Sequence, residues 1–370
     1  MSVAGGDRTD TSVELRLERL CTAVAEAGLD AYLATSDESI AYLTGFRPLQ
    51  LERFFAVAIR ADGSGAMVVP RLDEGQVAGA PQSLARISYT AASDGLPELV
   101  AALDGAHSLG VEEDHLVIAR SRALEGRGFE LVAAGTIVWQ LRARKVAQEI
   151  ERLRQACSLV EEALTRMFDE LRPGDVEQLV NARVDGWLRE RGATDAHPLI
   201  LFGESAANPH GKPGPRELRS GDVVCADLSA CLDGYWGDLT RCASVGAPSE
   251  WARRAWEVVR DAQVAAIEAC WPGTPAREVD LAQRQIVEAS PELGDCLHGA
   301  GHAIGMAVHE PPFLVPRTDA PLEEGMVLTI EPGLYKAGVG GVRLEDDVLV
   351  GRDGPQILST LPLELVELSA

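Results

Sequence analysis

Residues 225–242 read CADLSACLDGYWGDLTRC, a run with three cysteines, three aspartates and one arginine. GDVVCADLSA and YWGDLTRCASV are both strand-like, and the LDG between them predicts a β-hairpin. With the turn centred on Leu232–Asp233, Asp227 and Asp238 stand directly opposite each other. Centred on Asp233–Gly234, they become diagonal neighbours. In either register the alternation of a strand keeps both carboxylates on one face. Carboxylates with Cβ atoms about 5–8 Å apart suit joint metal binding; the plainer explanation is the exposed face of a twisted ribbon. Cys225 and Cys242 share that face. Their spacing lacks the tight ligand pairs of a zinc site, so packed, reduced thiols are expected.

Two further clusters lie downstream. LHGAGHAIGMAVHEPP holds His298, His302 and His309, three of the chain's seven histidines. Gly299 and Gly301 make a helix improbable there, so this is not a helical pair of zinc ligands. In LTIEPGLYKAGVGGVRLEDDVLV, Glu331 ends an apolar strand and Glu345 lies among apolar neighbours. Burying such acids is expensive unless a cation neutralises them. The cation is either a metal ion or Arg343, by a salt bridge. Asp227, Asp238, Glu331 and Glu345 carry four negative charges, which two divalent ions balance beside a neutral His302. Without metal, four clustered carboxylates repel one another and take up protons. Oxygen ligands with one imidazole fit Mn, Co, Fe or Zn.

The 370 residues suffice for two or three domains. With 57 acidic against 34 basic side chains, the net charge is −23. That sign argues against nucleic acid or an anionic membrane as partner, and solubility alone accounts for it. The N-terminus lacks a basic segment followed by an apolar run, and no stretch approaches the length of a membrane span. Seven cysteines without a C-x-x-C pair suit a reducing compartment. A soluble cytoplasmic protein is expected.

Residues 1–142 alternate helix-like and strand-like segments and read as a smaller α/β domain. A long amphipathic helix then starts near Lys145 and stops at Arg172-Pro173-Gly174, opening a second domain over 143–370. Within it the Pro173-Gly174 break is echoed by Pro272-Gly273, each followed by a helical stretch and then strands. This suggests a duplicated α+β half-domain.

At these residues the sequence resembles the pita-bread metallopeptidases, family M24, which include methionine aminopeptidase, Xaa-Pro aminopeptidase and prolidase. DLSACLDGYWGD matches the two-aspartate hairpin, HGAGHAIGMAVHEPP the histidine segment, and IEPG and VRLED the two glutamates. LRARKVAQEIERLRQA resembles the opening helix of that catalytic domain, and FGESAANPHG its upstream histidine segment. Residues 1–142, with SDESIAYLTGF, look like the N-terminal domain of the creatinase and prolidase branch. The resemblance implies an α+β pita-bread fold with a pseudo-twofold repeat, preceded by the α/β domain. It makes Asp227, Asp238, His302, Glu331 and Glu345 the ligands of two divalent ions, with manganese weakly favoured. His210 and His309 become substrate-facing histidines, and Glu331 a general base and acid. His298 and Arg343 are supporting residues behind the ligands. The implied chemistry is attack of a metal-bound hydroxide on an amide carbonyl, in a homodimer.

Three positions leave the family pattern, which usually has glycine for Ser229, serine for Gly237 and threonine for Cys242. They widen the expected substrates from Xaa-Pro peptides to non-peptide small molecules, as in ectoine-hydrolase-like relatives. Creatinase itself dispenses with the metal ligands, whereas this chain keeps all five. A non-catalytic binding module is the third alternative.

Overall fold

The structure, a computed structural model, describes residues 11–370. The chain divides between Arg142 and Ala143 into two compact units. The first contains α1 (Thr11–Glu26), β1 (Ala31–Ala34), α2 (Asp37–Thr44), β2 (Ala56–Arg60), β3 (Gly65–Pro70) and β4 (Leu84–Tyr89). It continues with α3 (Leu96–Ala102), β5 (Ser108–Val111), α4 (Ile118–Glu125), β6 (Glu130–Ala133) and α5 (Gly135–Ala143), whose last residue crosses the division. One sheet runs β4-β3-β2-β1-β5-β6. The pairs β1–β2 and β2–β3 are antiparallel, and β3–β4, β1–β5 and β5–β6 parallel. Local signals set the element ends. Ser36 caps α2 by accepting from the Ser39 N–H, and Gly45 closes it at φ 73°, donating its N–H to Ala41.

The second unit opens with α6 (Ala147–Glu170). Leu153, Ala156, Cys157, Val160, Leu164 and Met167 recur at intervals of three and four and are all buried. After α7 (Glu177–Glu190) comes a sheet of β7 (Asp195–Phe202), β8 (Val223–Leu232) and β9 (Tyr235–Val245). Helices α8 (Glu250–Glu268) and α9 (Ala276–Val287) follow. The chain then makes β10 (Gly301–Ala303), β11 (Glu310–Leu314), β12 (Val327–Ile330), β13 (Gly333–Lys336) and β14 (Gly340–Arg343). It ends with β15 (Asp346–Gly351), β16 (Gly354–Ile357) and β17 (Val366–Leu368). The sheets are ordered β17-β9-β8-β7, β11-β10-β12-β15-β16 and β13-β14.

The repeat is visible in single hydrogen bonds. After the first break Gly174 N–H donates to Leu218 O at 2.8 Å; after the second, Gly273 N–H donates to Leu322 O at 2.8 Å. The offset relating Pro173 to Pro272 also relates Asn181 on α7 to Asp280 on α9. Asn181 Oδ1 accepts from Ile200 N and Asp280 Oδ1 from Ala300 N, each polar side chain holding the strand-side backbone of its own half. Both are buried, so these bonds also satisfy groups that water cannot reach.

Helix α6 lies against β9 so closely that Gly237 is required there. A Cβ at Gly237 would stand 2.5 Å from Cys157 N and 2.6 Å from Ala156 C, both backbone atoms. Gly237 therefore faces the helix and not the carboxylate face, and a serine there would need the helix to move. Gly237→Ala is expected to destabilise the protein by about 1–3 kcal/mol. A lowered urea midpoint at constant slope reads this directly; an unchanged midpoint contradicts the close approach.

Candidate metal centre

The β8–β9 turn centres on Asp233 and Gly234, with φ 49° and 81°, the two positive values of a type I′ turn. That fixes the register as Cys225↔Cys242, Asp227↔Thr240 and Ser229↔Asp238. Asp227 and Asp238 are thus the diagonal neighbours of the second register. The Thr240 carbonyl points away from β8, accepting from Glu345 N–H at 3.1 Å. This docks the fourth carboxylate beside the hairpin, where the Thr240 hydroxyl also donates to Glu345 Oε2 at 2.6 Å.

Asp238, His302 and Glu345 converge, offering ligand atoms within 4.8 Å of one another. All three are buried, and Asp238 Oδ1 has no hydrogen-bond partner among the described residues. The Nδ1 of His302 lies 3.1 Å from its own strand's Ala303 O, an arrangement that assigns the proton to Nδ1 and leaves the Nε2 lone pair free. Nε2 in turn lies 3.4 Å from Glu331 Oε1. Gly301 makes this placement possible: at φ 148° its absent Cβ would fall 2.0 Å from Thr329 O.

Asp227 and Glu331 flank the trio. Glu331, 19% exposed, is held by its N–H to Ala300 O at 2.8 Å. Asp227 accepts from the Arg343 guanidinium, so Arg343 pairs with Asp227 and not with Glu345 as the salt-bridge alternative had it. Arg343 also donates to the Tyr335 hydroxyl at 2.6 Å, which lies 2.7 Å from His298 Nε2. His309 packs edge-on against His302, with ring centroids 4.2 Å apart. His210 is exposed, beyond the end of β7. Cys242 donates its thiol to Arg343 O, and Ser229 lies on the carboxylate face opposite Asp238.

Three contributors escaped the sequence reading: Thr240, Tyr335 and Asp347. Asp347 Oδ2 accepts from Asp238 N–H at 3.2 Å and from the Cys157 thiol at 3.0 Å. Thr240 and Asp347 were findable in principle, since each stands two positions from a ligand candidate on an extended segment. Tyr335 gave no signal.

The electrostatics match a cation site. Burial, then the charges of Glu345 and Asp227, push the Asp238 carboxyl well above the ordinary range. Glu345 is raised likewise, by burial and then by Glu331 and Asp227. Burial lowers His302 to about 4, keeping its imidazole neutral. A buried unpartnered carboxylate oxygen, two carboxyls that resist ionisation and a free imidazole nitrogen fit a divalent ion.

These shifts set a pH dependence for the metal-free protein. Burial raises Asp347 to about 7 from 3.8. Its folded state therefore holds a proton that the unfolded state has lost, a contribution to stability that disappears as pH rises through 7. His302 acts oppositely, but only between about 4 and its ordinary 6.5. The melting temperature without metal is expected to fall between about pH 6.5 and 8. A divalent ion should raise it more at the upper end; a flat profile would contradict the buried acids.

Comparison with known proteins gives the family. The profile of metallopeptidase family M24 matches residues 151–352, more than half of the chain. The chain belongs to metallopeptidase family M24. The creatinase/prolidase N-terminal domain matches residues 16–144. An uncharacterized peptidase of Staphylococcus aureus (strain MSSA476) is 32% identical over 338 residues, 89% of this chain and 94% of the relative. The dipeptidase PepE of Mycobacterium ulcerans superposes with TM-score 0.90 at 29% identity, covering 99% of this chain and all of that one. An Xaa-Pro dipeptidase from Bacillus anthracis does so with TM-score 0.88 at 29% identity, over 96% and 100%. The M24 chain thus has the pita-bread fold, following a creatinase-type domain in the sequence, and is a hydrolytic, metal-dependent peptidase. None of its described helices is long and apolar enough to cross a membrane.

Proposed function

We propose that this M24 enzyme hydrolyses Xaa-Pro peptide bonds, as an aminopeptidase or dipeptidase, with two divalent ions held by Asp227, Asp238, His302, Glu331 and Glu345. The observation that carries the reading is the convergence of Asp238, His302 and Glu345 around an unpartnered carboxylate oxygen. Bound there, the ions supply Lewis acidity and a water acidic enough to attack an amide carbonyl at neutral pH. Glu331, the carboxylate next to His302 Nε2, takes the proton of the attacking water and returns it to the leaving amine. His309 is held below its ordinary pKa by burial and by His302, so it is neutral and donates its N–H to the developing oxyanion. His210, on the exposed turn after β7, contacts the substrate at the scissile nitrogen. Arg343, tied to Tyr335, donates to the Asp227 carboxylate and holds it in place. Manganese is the first metal to try, and a cytoplasmic homodimer is the assembly this branch of the family suggests.

A non-peptide substrate is the second reading. It is favoured by Ser229 and Cys242, which stand on the carboxylate face where the family has other residues. Protein loaded with Mn or Co is offered Xaa-Pro dipeptides, longer Xaa-Pro peptides and ectoine. Cleavage of a proline bond is expected; its absence with every metal sinks the first reading, and ectoine turnover in its place supports the second.

A further inference from the structure

Strand β7 carries a feature outside the carboxylate cluster. Ser229 pairs with Asp238 on β9 and with His197 on β7, so these three side chains form one row on the carboxylate face. The next row is Asp195, Cys231 and Trp236. His197 leans across β8 to stack on Trp236, with ring centroids 4.8 Å apart and planes at 35°. Ser229 and Cys231 are both only 4% exposed, and Trp236 6%. The His197 side chain stays 56% exposed, its Nε2 3.6 Å from Asp195. Trp236 N–H donates to Gly305 O at 2.9 Å, anchoring this end of β9 to the loop between His302 and His309.

The result is a tilted pair of rings one row from Asp238, at the start of β7, with His197 outermost over a nearly covered Trp236. His210 follows the opposite end of the same strand, beyond Phe202. With His210 at the scissile nitrogen, the acyl half of the substrate extends the other way, towards His197. We infer that His197 and Trp236 form the subsite for the side chain N-terminal to the scissile bond, selecting aromatic and large aliphatic residues. The inference rests on the Xaa-Pro reading. Its chemistry is that of a stacked ring pair, which gains most from a flat or apolar side chain and nothing from glycine.

The test compares metal-loaded wild type, Trp236→Ala, Trp236→Phe and His197→Ala on Phe-Pro, Leu-Pro and Gly-Pro. Trp236→Ala is expected to lower kcat/KM for Phe-Pro and Leu-Pro by about tenfold or more, and for Gly-Pro by less than about twofold. Trp236→Phe keeps most of the preference. His197→Ala, at an exposed position, shifts selectivity the same way without endangering the fold. Equal losses on all three dipeptides in both alanine variants overturn the subsite while leaving the Xaa-Pro reading standing. A wild type inactive on every dipeptide overturns that reading and the subsite with it.

Discussion

Replacing Asp238 by asparagine is expected to strip the purified protein of divalent metal and lower turnover by at least about a thousandfold. Asparagine has nearly the same shape, so the hairpin and its docking on α6 are preserved. What changes is the charge at an oxygen that is buried, has no hydrogen-bond partner among the described residues and converges with His302 and Glu345. The same substitution removes one of several mutually repelling carboxylates, the cause that follows burial in raising Asp238. The metal-free variant should therefore melt at a higher temperature than the metal-free wild type above pH 7, while the metal-loaded comparison runs the other way. Elemental analysis and two thermal scans read both directions. Unchanged metal content would remove Asp238 from the ligand set.

The second large effect is expected at Glu331. Glu331→Gln should reduce kcat by about 10²–10⁴-fold, the range for loss of a positioned general base and acid. Asp238, His302 and Glu345 remain, so the variant should still carry at least one ion per chain. The loss should fall on kcat more than on KM, because the amide can still fill the space but cannot accept the proton. A variant within tenfold of wild-type kcat would assign the proton transfer to another group. The pairing of the two substitutions is informative: Asp238→Asn loses metal and turnover together, Glu331→Gln loses turnover with metal still present.

Much of this centre was legible in the chain because its signals are local. Strand alternation alone put Asp227 and Asp238 on one face, and the glycines around His302 ruled out a helix. The register was not legible from alternation; it was decided by the positive φ of Asp233, an energetic choice between two adjacent turns. Arg343 was read as a candidate partner of Glu345, two positions away. The fold gives it to Asp227 instead, because β14 brings the guanidinium across to β8. Sequence proximity says nothing about such a crossing. Gly237, a departure from the family pattern in the sequence, lies under α6 and off the carboxylate face, a placement that only the packing of the helix decides. The aromatic pair of His197 and Trp236 was out of reach for a related reason. β7 and β8 are joined by residues 203–222 instead of a tight turn, so no local rule sets their register.

The duplicated halves of the second unit have one more implication. The hairpin with Asp227 and Asp238 belongs to the first half, while His302, Glu331 and Glu345 come from the second. Thr240 and Glu345 join across that seam through backbone and side chain, and Arg241 reaches over it to Asp346 at 2.7 Å. Neither half alone assembles the convergent trio. An ion bound there would act as a cross-link between the two copies of the repeat, and any opening of the seam would release it. Occupancy and cohesion are then one equilibrium: free-ion concentration would tune how often the halves part, and each parting would silence the enzyme until an ion returned.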